Sequence, residues 1–281
     1  MSSITVREAL QGLARALGPH SETAPLDAQR ALAHLLGRSS AWVLAHPEAR
    51  LSSPQVAQLQ DWLRRLQAGE PLPYVLGEWE FYGRPFFVTP AVLIPRPETE
   101  TLVDAALRVL STRPSLRVVD VGTGSGCIAL TLALERPGLT VWATDVSWDA
   151  LQVARRNRAR YGLQDRVPLV QASLLEPLAG PWDVVVANLP YIPSTALSHL
   201  RVARWEPRLA LDGGPEGTRW LRTLLAQLSL RLQRPGGHVL LEIAPAQVTA
   251  LREVVGHHLP EARVEVLSDL AGMPRVLWIR T

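Results

Sequence analysis

The sequence predicts an α/β protein, with a largely parallel sheet of seven strands preceded by a small bundle of helices. From Thr99 onward, short apolar runs typical of buried strands alternate with helical segments. Residues 4–68 carry helical spacing and capping signals with no strand pattern between them. We therefore predict a helical bundle over residues 1–75, a β-hairpin linker over 76–98 and an α/β domain over 99–281.

The first 68 residues predict four or five helices. Thr5 and Glu8 fit a capping box at the start of the first. Ser53-Pro54 begins another, since proline is favoured in the first turn. The expected helix ends are Gly18-Pro19, Gly37, the residues before Pro47, and about Ala68.

Residues 70–98 predict a hairpin and no helix, because proline recurs through the whole stretch. Residues 78–82 and 86–88 are strand-like and flank a short turn at Gly83-Arg84. We expect this stretch to be the hinge between the two domains.

The rest of the chain predicts a sheet covered by helices on both faces. The expected strands are 116–121, 140–145, 167–171, 183–188, 238–243, 263–267 and 275–280. The expected helices are 99–110, one from near Gly126, 148–161, 216–233 and 246–257. The last two strands are close in sequence, so we expect them to pair antiparallel at one edge.

Composition excludes several classes of function. All 29 basic residues are arginine, which rules out Schiff-base chemistry and a phosphate-binding lysine. The single cysteine, Cys127, excludes a disulfide framework within the chain, and we expect no metal site. The net charge of +3 permits a nucleic-acid partner without requiring one. With no apolar signal core at the N-terminus and no run of about 20 apolar residues, we expect a cytoplasmic protein without a membrane segment.

A glycine-rich loop follows the first strand of the predicted sheet. Gly122, Gly124 and Gly126 come directly after Val118 to Val121 and open a helix. Glycine lets a ligand approach the backbone where a Cβ would block it. A dinucleotide fingerprint would place glycine or alanine at the position of Cys127. The loop predicts a cofactor site, although a tight strand-to-helix turn without a ligand gives the same pattern.

Two further strand ends fit a nucleoside. Asp145 ends the next strand, where a carboxylate accepts hydrogen bonds from both ribose hydroxyls. The alternative interpretation is that Asp145 caps helix 148–161. Ser173 and Leu174 end the third strand, where an adenine ring would lie, or are ordinary loop residues.

The most informative motif is Asn188-Leu189-Pro190-Tyr191, which follows the buried run 184–187. The Asn188 side chain and the Pro190 carbonyl offer two acceptors for the two hydrogens of a planar NH2 group. Tyr191 can pack on that group. The alternative is a proline turn with a structural asparagine. Glu98 could line the same pocket, whereas Glu100 is expected to cap helix 99–110.

With these motifs the chain resembles the release-factor glutamine methyltransferases, which modify the glutamine of the Gly-Gly-Gln loop of release factors. The resemblance covers the whole chain, and its most specific segments are Arg96-Pro97-Glu98-Thr99-Glu100 and Glu206-Pro207-Arg208-Leu209-Ala210-Leu211. It implies a Rossmann-like methyltransferase sheet, S-adenosylmethionine as donor, and class I release factors as partners recognised by the N-terminal helices. We expect a monomer with no direct nucleic-acid substrate.

The resemblance assigns the site residues as follows. Donor binding is expected at Gly122, Thr123, Gly124, Ser125, Gly126, Asp145, Ser173, Leu174 and Asn188. The glutamine is expected to be bound by Asn188, Leu189, Pro190 and Tyr191, with Asn188, Pro190 and Tyr191 acting in catalysis. One position departs from the family, which has proline where this chain has Leu189. We therefore predict an active enzyme whose loop is less rigid.

Three alternatives remain. An N6-adenine methyltransferase would use the same acceptors on an exocyclic NH2. A docking module that binds the donor without turnover would account for Leu189. An NAD-dependent oxidoreductase is disfavoured by Cys127 and by the absence of an evident proton donor.

Overall fold

The computed structural model describes residues 4–111 and 116–281. Residues 1–3 of the predicted bundle and residues 112–115 of the predicted α/β domain lie outside this description. The chain divides into two compact units, one ending at Glu78 and one beginning at Trp79. None of the helices described there is long and apolar enough to cross a membrane.

The first unit is helical, as predicted. Its helices are α1 Val6–Leu17, α2 Ala24–Leu36, α3 Ser40–Ala45, α4 Ser53–Gln67 and α5 Leu72–Leu76. The capping box at α1 is present: Glu8 N–H donates to the Thr5 hydroxyl oxygen and Thr5 N–H to the Glu8 carboxylate. The expectation of no helix in the proline-rich stretch was wrong for α5. Pro71 precedes that helix and Pro73 lies in its first turn, where no N–H is required.

The hairpin consists of β1 Glu78–Phe81 and β2 Arg84–Phe87. Its turn is Tyr82-Gly83, one residue earlier than predicted, with φ values of 52° and 67°. A two-residue hairpin turn of this hand needs positive φ at both positions. Phe81 and Phe86 are buried in the core of the second unit, so the hairpin packs as part of that unit.

The second unit begins at Trp79 and contains an α/β arrangement in addition to the hairpin. Its remaining helices are α6 Thr99–Leu110, α7 Cys127–Glu135, α8 Trp148–Arg160, α9 Ser194–Leu197, α10 Arg219–Leu228 and α11 Val248–His258. Its remaining strands are β3 Val118–Val121, β4 Val141–Asp145, β5 Leu169–Gln171, β6 Val184–Ala187, β7 His238–Glu242, β8 Arg263–Ser268 and β9 Pro274–Arg280.

These seven strands form one sheet in the order β5-β4-β3-β6-β7-β9-β8, which confirms the predicted fold class. The first five run parallel, and β9 pairs antiparallel with both β7 and β8. The expected antiparallel pair at one edge is therefore confirmed. Successive residues of the central strands point to opposite faces: Val118 and Val184 join one buried cluster, and Val119 and Val185 join the other.

A buried asparagine of α8 joins the hairpin to the glycine loop. Asn157 Oδ1 accepts from Phe87 N–H at 2.7 Å, and its Nδ2 donates to the carbonyls of Phe87 at 3.0 Å and Ser125 at 2.8 Å. Three of the four hydrogen bonds that an asparagine side chain can make serve these two segments, so one side chain fixes their relative position.

Candidate active site

The pocket lies at the carboxyl ends of β3, β4 and β6. In this strand order, β4 lies on one side of β3 and β6 lies on the other side of β3, so the direction of winding reverses at β3. Such a reversal opens a crevice beyond the carboxyl ends of parallel strands. Residues of the glycine loop, the end of β4 and the turn after β6 all line it.

The glycine loop needs its glycines for backbone conformation. Gly122, Gly124 and Gly126 all have positive φ, at 75°, 55° and 83°. Gly126 does not line the pocket. A Cβ there would lie 3.0 Å from Leu130 and 3.3 Å from Ala154, so this glycine allows α7 and α8 to pack closely.

Asp145 is held against the loop. Its carboxylate accepts from Gly124 N–H at 2.8 Å and from Ser147 N–H at 2.9 Å. Burial raises its pKa, opposed by these backbone bonds. The N-cap of α8 is Ser147, whose hydroxyl oxygen accepts from Ala150 N–H, so Asp145 is not that helix's cap. Each of its oxygens keeps a lone pair for a ligand hydroxyl.

A fully buried aspartate, Asp120, lies beneath the loop. Asp120 Oδ2 accepts from the Thr123 hydroxyl at 2.6 Å and from Ala129 N–H at 3.2 Å, while its Oδ1 has no partner among the described residues. Burial raises the pKa of Asp120 to about 7. Its two bonds tie the loop to the start of α7.

Ser173 and Leu174 line the pocket beyond β5. Leu174 has a φ of 56°, in the left-handed region that a leucine rarely adopts. Such strain persists only where surrounding structure enforces it. Here Gln227 Oε1 accepts from the next backbone N–H, that of Leu175, at 2.9 Å.

The Asn188 amide has a defined direction. Its Nδ2 donates to the Thr99 hydroxyl oxygen at 3.1 Å, so its Oδ1 is the atom left for a ligand. No described residue donates to Asn188 Oδ1 or to the Pro190 carbonyl. Both residues line the pocket, and the assignment of their oxygens as the two acceptors stays a prediction.

Leu189 is buried between the two loops. A Cβ on Gly122 would lie 2.8 Å from Leu189 Cδ2, so the leucine packs directly against the glycine loop. No described residue accepts a hydrogen bond from its backbone N–H. Leucine at this position therefore leaves the backbone of the turn less rigid than proline would, and its side chain contacts the glycine loop.

Tyr191 faces away from the pocket. Its hydroxyl donates to Glu242 Oε1 at 3.3 Å, and burial together with the Glu242 charge raises its pKa to about 12. Glu242 ends β7 and is 1% exposed. Burial raises the pKa of Glu242, while the Thr99 hydroxyl, Arg275 and the Tyr191 hydroxyl lower it.

A second segment holds the turn from outside. Ile192 bridges Asp212, and Gln247 Nε2 donates to the carbonyls of Tyr191 at 3.1 Å and Gly217 at 2.8 Å. A Cβ on Gly213 would lie 2.8 Å from the Pro190 carbonyl oxygen. Glycine at 213 therefore allows the two segments to approach closely.

The two family-specific segments meet through an ion pair. Arg96 pairs with Glu206, whose side chain is 1% exposed, and Ile94 N–H donates to the same carboxylate at 3.2 Å. This pair joins the start of α6, which carries Thr99, to the segment that supplies Leu209 to the pocket.

The structure brings together most of the predicted residues. Those lining the pocket are Gly122, Thr123, Gly124, Ser125, Asp145, Ser173, Leu174, Asn188, Leu189 and Pro190. Gly126 and Tyr191 support it from behind. Glu98 and Glu100 do not line it: Glu98 makes no capping bond, and Glu100 accepts from Tyr82 N–H at 2.8 Å.

Sequence reasoning missed three supporting residues, Thr99, Glu242 and Gln247. Each is buried and polar. Two positions in the sequence could have pointed to these residues: Thr99 lies inside the Arg96–Glu100 segment, and Glu242 ends an apolar strand. Nothing in the sequence shows that they meet the Asn188 turn.

Known proteins resemble this chain along its length. A family model described as the PrmC N-terminal domain matches residues 8–77, and one described as the methyltransferase small domain matches residues 100–204. A release factor glutamine methyltransferase of Moorella thermoacetica is 42% identical over 278 residues, covering 97% of both chains. One of Neisseria gonorrhoeae is 44% identical over 234 residues, covering 82% of this chain and 81% of the relative.

A solved structure shares the fold at lower identity. The 16S rRNA N2 G1207 methyltransferase of Thermus thermophilus, in complex with AdoMet and guanosine, aligns with a TM-score of 0.53 at 17% identity. The alignment covers 73% of this chain and 49% of that one. Identity and coverage with the sequence relatives are decisive: the chain belongs to the release factor glutamine methyltransferase family.

Proposed function

We propose that this protein methylates the N5 amide nitrogen of the glutamine in the Gly-Gly-Gln loop of class I release factors, with S-adenosylmethionine as donor. One observation supports the proposal: Asn188 and Pro190 line the pocket, and no described residue donates a hydrogen bond to Asn188 Oδ1 or to the Pro190 carbonyl. A primary amide presents two N–H groups in one plane, which two such acceptors match.

The glycine-loop side of the pocket fits the proposed donor. Gly122 and Gly124 line the pocket and carry no Cβ, so a ligand can approach their backbone closely. Asp145 keeps acceptor capacity for ribose hydroxyls, and Leu174 offers an apolar surface for a base. We propose that these residues, with Thr123, Ser125 and Ser173, hold S-adenosylmethionine.

The chain's own residues would activate the glutamine. S-adenosylmethionine supplies an electrophilic methyl group when bound. An amide nitrogen is a weak nucleophile, and accepting both of its hydrogens at Asn188 Oδ1 and the Pro190 carbonyl raises its electron density. As the C–N bond formed, the S–CH3 bond of the donor would break to leave a neutral thioether, and one N–H hydrogen of the amide would be lost to solvent as a proton. Leu189 and Leu209 make the walls apolar, which strengthens these hydrogen bonds.

We propose that the helical unit recognises the body of the release factor. The match of residues 8–77 to the PrmC N-terminal domain supports this assignment. A short peptide carrying only the Gly-Gly-Gln loop should then be methylated with a much lower kcat/KM than the intact factor. Equal kcat/KM values for peptide and factor would contradict the assignment. We propose a monomer, which light scattering will test.

Mass spectrometry of a release factor incubated with the protein and S-adenosylmethionine tests the function. We expect a gain of one methyl on the glutamine. Asn188→Ala should lower kcat by about 100-fold or more, since a preorganised acceptor is lost, and leave the Kd of S-adenosylhomocysteine nearly unchanged. A methyl found on adenine of nucleic acid instead of on the factor would overturn the proposal, and so would full turnover by Asn188→Ala.

A further inference from the structure

Three segments that line the pocket are joined to one another in a ring. They are residues 94–99, which lead into α6, the turn 188–192 after β6, and residues 206–212. Each segment contributes residues to the pocket wall. The residues proposed to hold the donor come from the glycine loop and from the ends of β4 and β5, so apart from Asn188 they lie outside this ring.

Two junctions of the ring are made at the turn itself. Asn188 Nδ2 donates to the Thr99 hydroxyl oxygen at 3.1 Å. Ile192 N–H donates to the Leu211 carbonyl at 3.1 Å, and Ile192 forms a β-bridge with Asp212. Because both junctions belong to the turn that carries the proposed acceptors, neither can be cut without changing the reacting geometry.

The third junction is a single buried carboxylate. Glu206 accepts from the Arg96 guanidinium and from Ile94 N–H, the latter at 3.2 Å. The Glu206 side chain is 1% exposed, so its hydrogen bonds are shielded from water, where a charged acceptor binds strongly and the loss of one partner is most costly. Glu206 does not itself line the pocket, and it acts on the wall only through the residues it holds.

We propose that Glu206 is a positioning residue that closes this ring and thereby sets how tightly the release-factor glutamine is bound. Its carboxylate holds Arg96 on one side and the chain leading to Pro207 and Leu209 on the other, and all three line the pocket. Loss of the carboxylate opens the ring between residues 94–99 and 206–212, while both junctions at the turn remain. This inference rests on the proposed function, because it requires that the glutamine enter the ring.

The position of Glu206 predicts which kinetic constant changes. A wall that contacts the substrate equally in the ground state and in the transition state contributes uniform binding, so its loss raises KM and leaves kcat unchanged. The donor contacts other segments, and its affinity should not follow. A residue that only stabilised the fold would instead reduce the amount of active protein, which lowers the apparent kcat and leaves KM at the parental value.

Three variants and a matched control test the ring. Glu206→Gln keeps one acceptor oxygen and replaces the other with an amide nitrogen that can only donate. Arg96→Lys keeps the ion pair, since Arg96 reaches Glu206 through one nitrogen, Nη2. Arg96→Met/Glu206→Gln leaves no unpaired buried charge, so its stability should recover although the ion pair is gone. The control, Glu135→Gln, cuts the half-buried pair of Arg84 and Glu135, neither of which lines the pocket.

We expect Glu206→Gln to raise the KM for the release factor by about 10-fold, the size expected for one lost hydrogen bond between charged groups, with kcat within about 3-fold of the parent. The double variant should keep the raised KM although its urea midpoint returns toward the parental value. Arg96→Lys should raise KM by only about 3-fold, because the charge is retained. The KM of Glu135→Gln should be parental, and so should the Kd of S-adenosylhomocysteine in all four proteins.

Amide hydrogen exchange reports on the third junction without turnover. Ile94 N–H is bound to the Glu206 carboxylate, and the N–H groups of Ala210 and Leu211 are bound to carbonyls of their own segment. Peptides that cover residues 94–99 and 206–212 should exchange faster in Glu206→Gln than in the parent, since the two segments separate more often. The same peptides should exchange at the parental rate in Glu135→Gln.

Parental KM in Glu206→Gln would overturn the proposal. A KM that returns to the parental value in the double variant would also overturn it, because stability and not the ion pair would then set KM. So would a rise in the Kd of S-adenosylhomocysteine as large as the rise in KM, which would mean that the whole pocket is disturbed. A parent protein that methylates no release factor would refute the proposed function instead, and the exchange rates would still decide whether Glu206 holds the two segments together.

Discussion

The contact between Leu189 and Gly122 predicts energetic coupling between the two loops of the site. Gly122→Ala places a methyl group on a residue with φ of 75°, which costs about 1–2 kcal/mol for a non-glycine residue. The new Cβ also lies 2.8 Å from Leu189 Cδ2, well inside contact distance. We expect about 1 kcal/mol more from this overlap, the lower end of the range for overpacking.

A double-mutant cycle isolates that second contribution. Leu189→Ala alone should cost about 2–5 kcal/mol, because the side chain is 4% exposed. In the Leu189→Ala background, Gly122→Ala meets no Cδ2 and should cost only its backbone strain. The free energies of unfolding from urea titrations should therefore show a coupling of about 1 kcal/mol, with the double variant more stable than the sum predicts.

Additive free energies, within about 0.3–0.5 kcal/mol, would refute the reasoning. Such a result would mean that the Leu189 side chain relaxes away from the new methyl group at no cost. The Kd of S-adenosylhomocysteine, measured by calorimetry on the same four proteins, should show the same sign of coupling, because Gly122 lines the proposed donor site.

Three other changes have defined outcomes. Leu189→Pro breaks no hydrogen bond to a described residue, so we expect it to raise the methylation rate by stiffening the turn; an unchanged rate would show that loop rigidity is not limiting. Gly213→Ala would place a Cβ 2.6 Å from the Gly217 carbonyl oxygen and 2.8 Å from that of Pro190, and should lower kcat by displacing the turn, with little loss of donor affinity. Asp120 binds a proton in the folded protein up to a pKa of about 7, against 3.8 when unfolded. It therefore contributes stability that is present below pH 3.8 and is lost as pH rises to about 7. Asp120→Asn keeps both hydrogen bonds through one oxygen and should flatten urea stability across that window, whereas the parent slope in the variant would contradict this assignment.

Local chemistry made much of the fold predictable. Strand order along the chain, the helix starts at Thr5 and Ser53 and the antiparallel last pair all follow from short-range signals. The turn at Tyr82-Gly83 was misplaced because tyrosine rarely adopts positive φ, so its conformation is imposed by strand register. Helix α5 was missed because proline is common both in the first turn of a helix and in loops, so the prolines at its start did not distinguish the two.

The candidate site, like the fold, was predictable only where short-range signals in the sequence exist. Many of the residues that line the pocket lie at strand ends, and strand ends are visible in the sequence. Residues that orient them come from distant segments, as Thr99 does for Asn188 and Gln247 for Tyr191. Only the folded chain brings these pairs within hydrogen-bond distance, and periodicity carries no information on them.

Asn157 limits how this domain can be re-engineered. The hairpin looks exchangeable, since it is a short local element with its own turn. However, its second strand and the glycine loop are bound to the same asparagine through three hydrogen bonds. A hairpin grafted from a relative keeps the loop geometry only if the graft preserves the backbone at Phe87 or the recipient helix is transplanted with it. Chimaeras of this family should therefore be cut outside residues 84–157 rather than between the hairpin and the sheet.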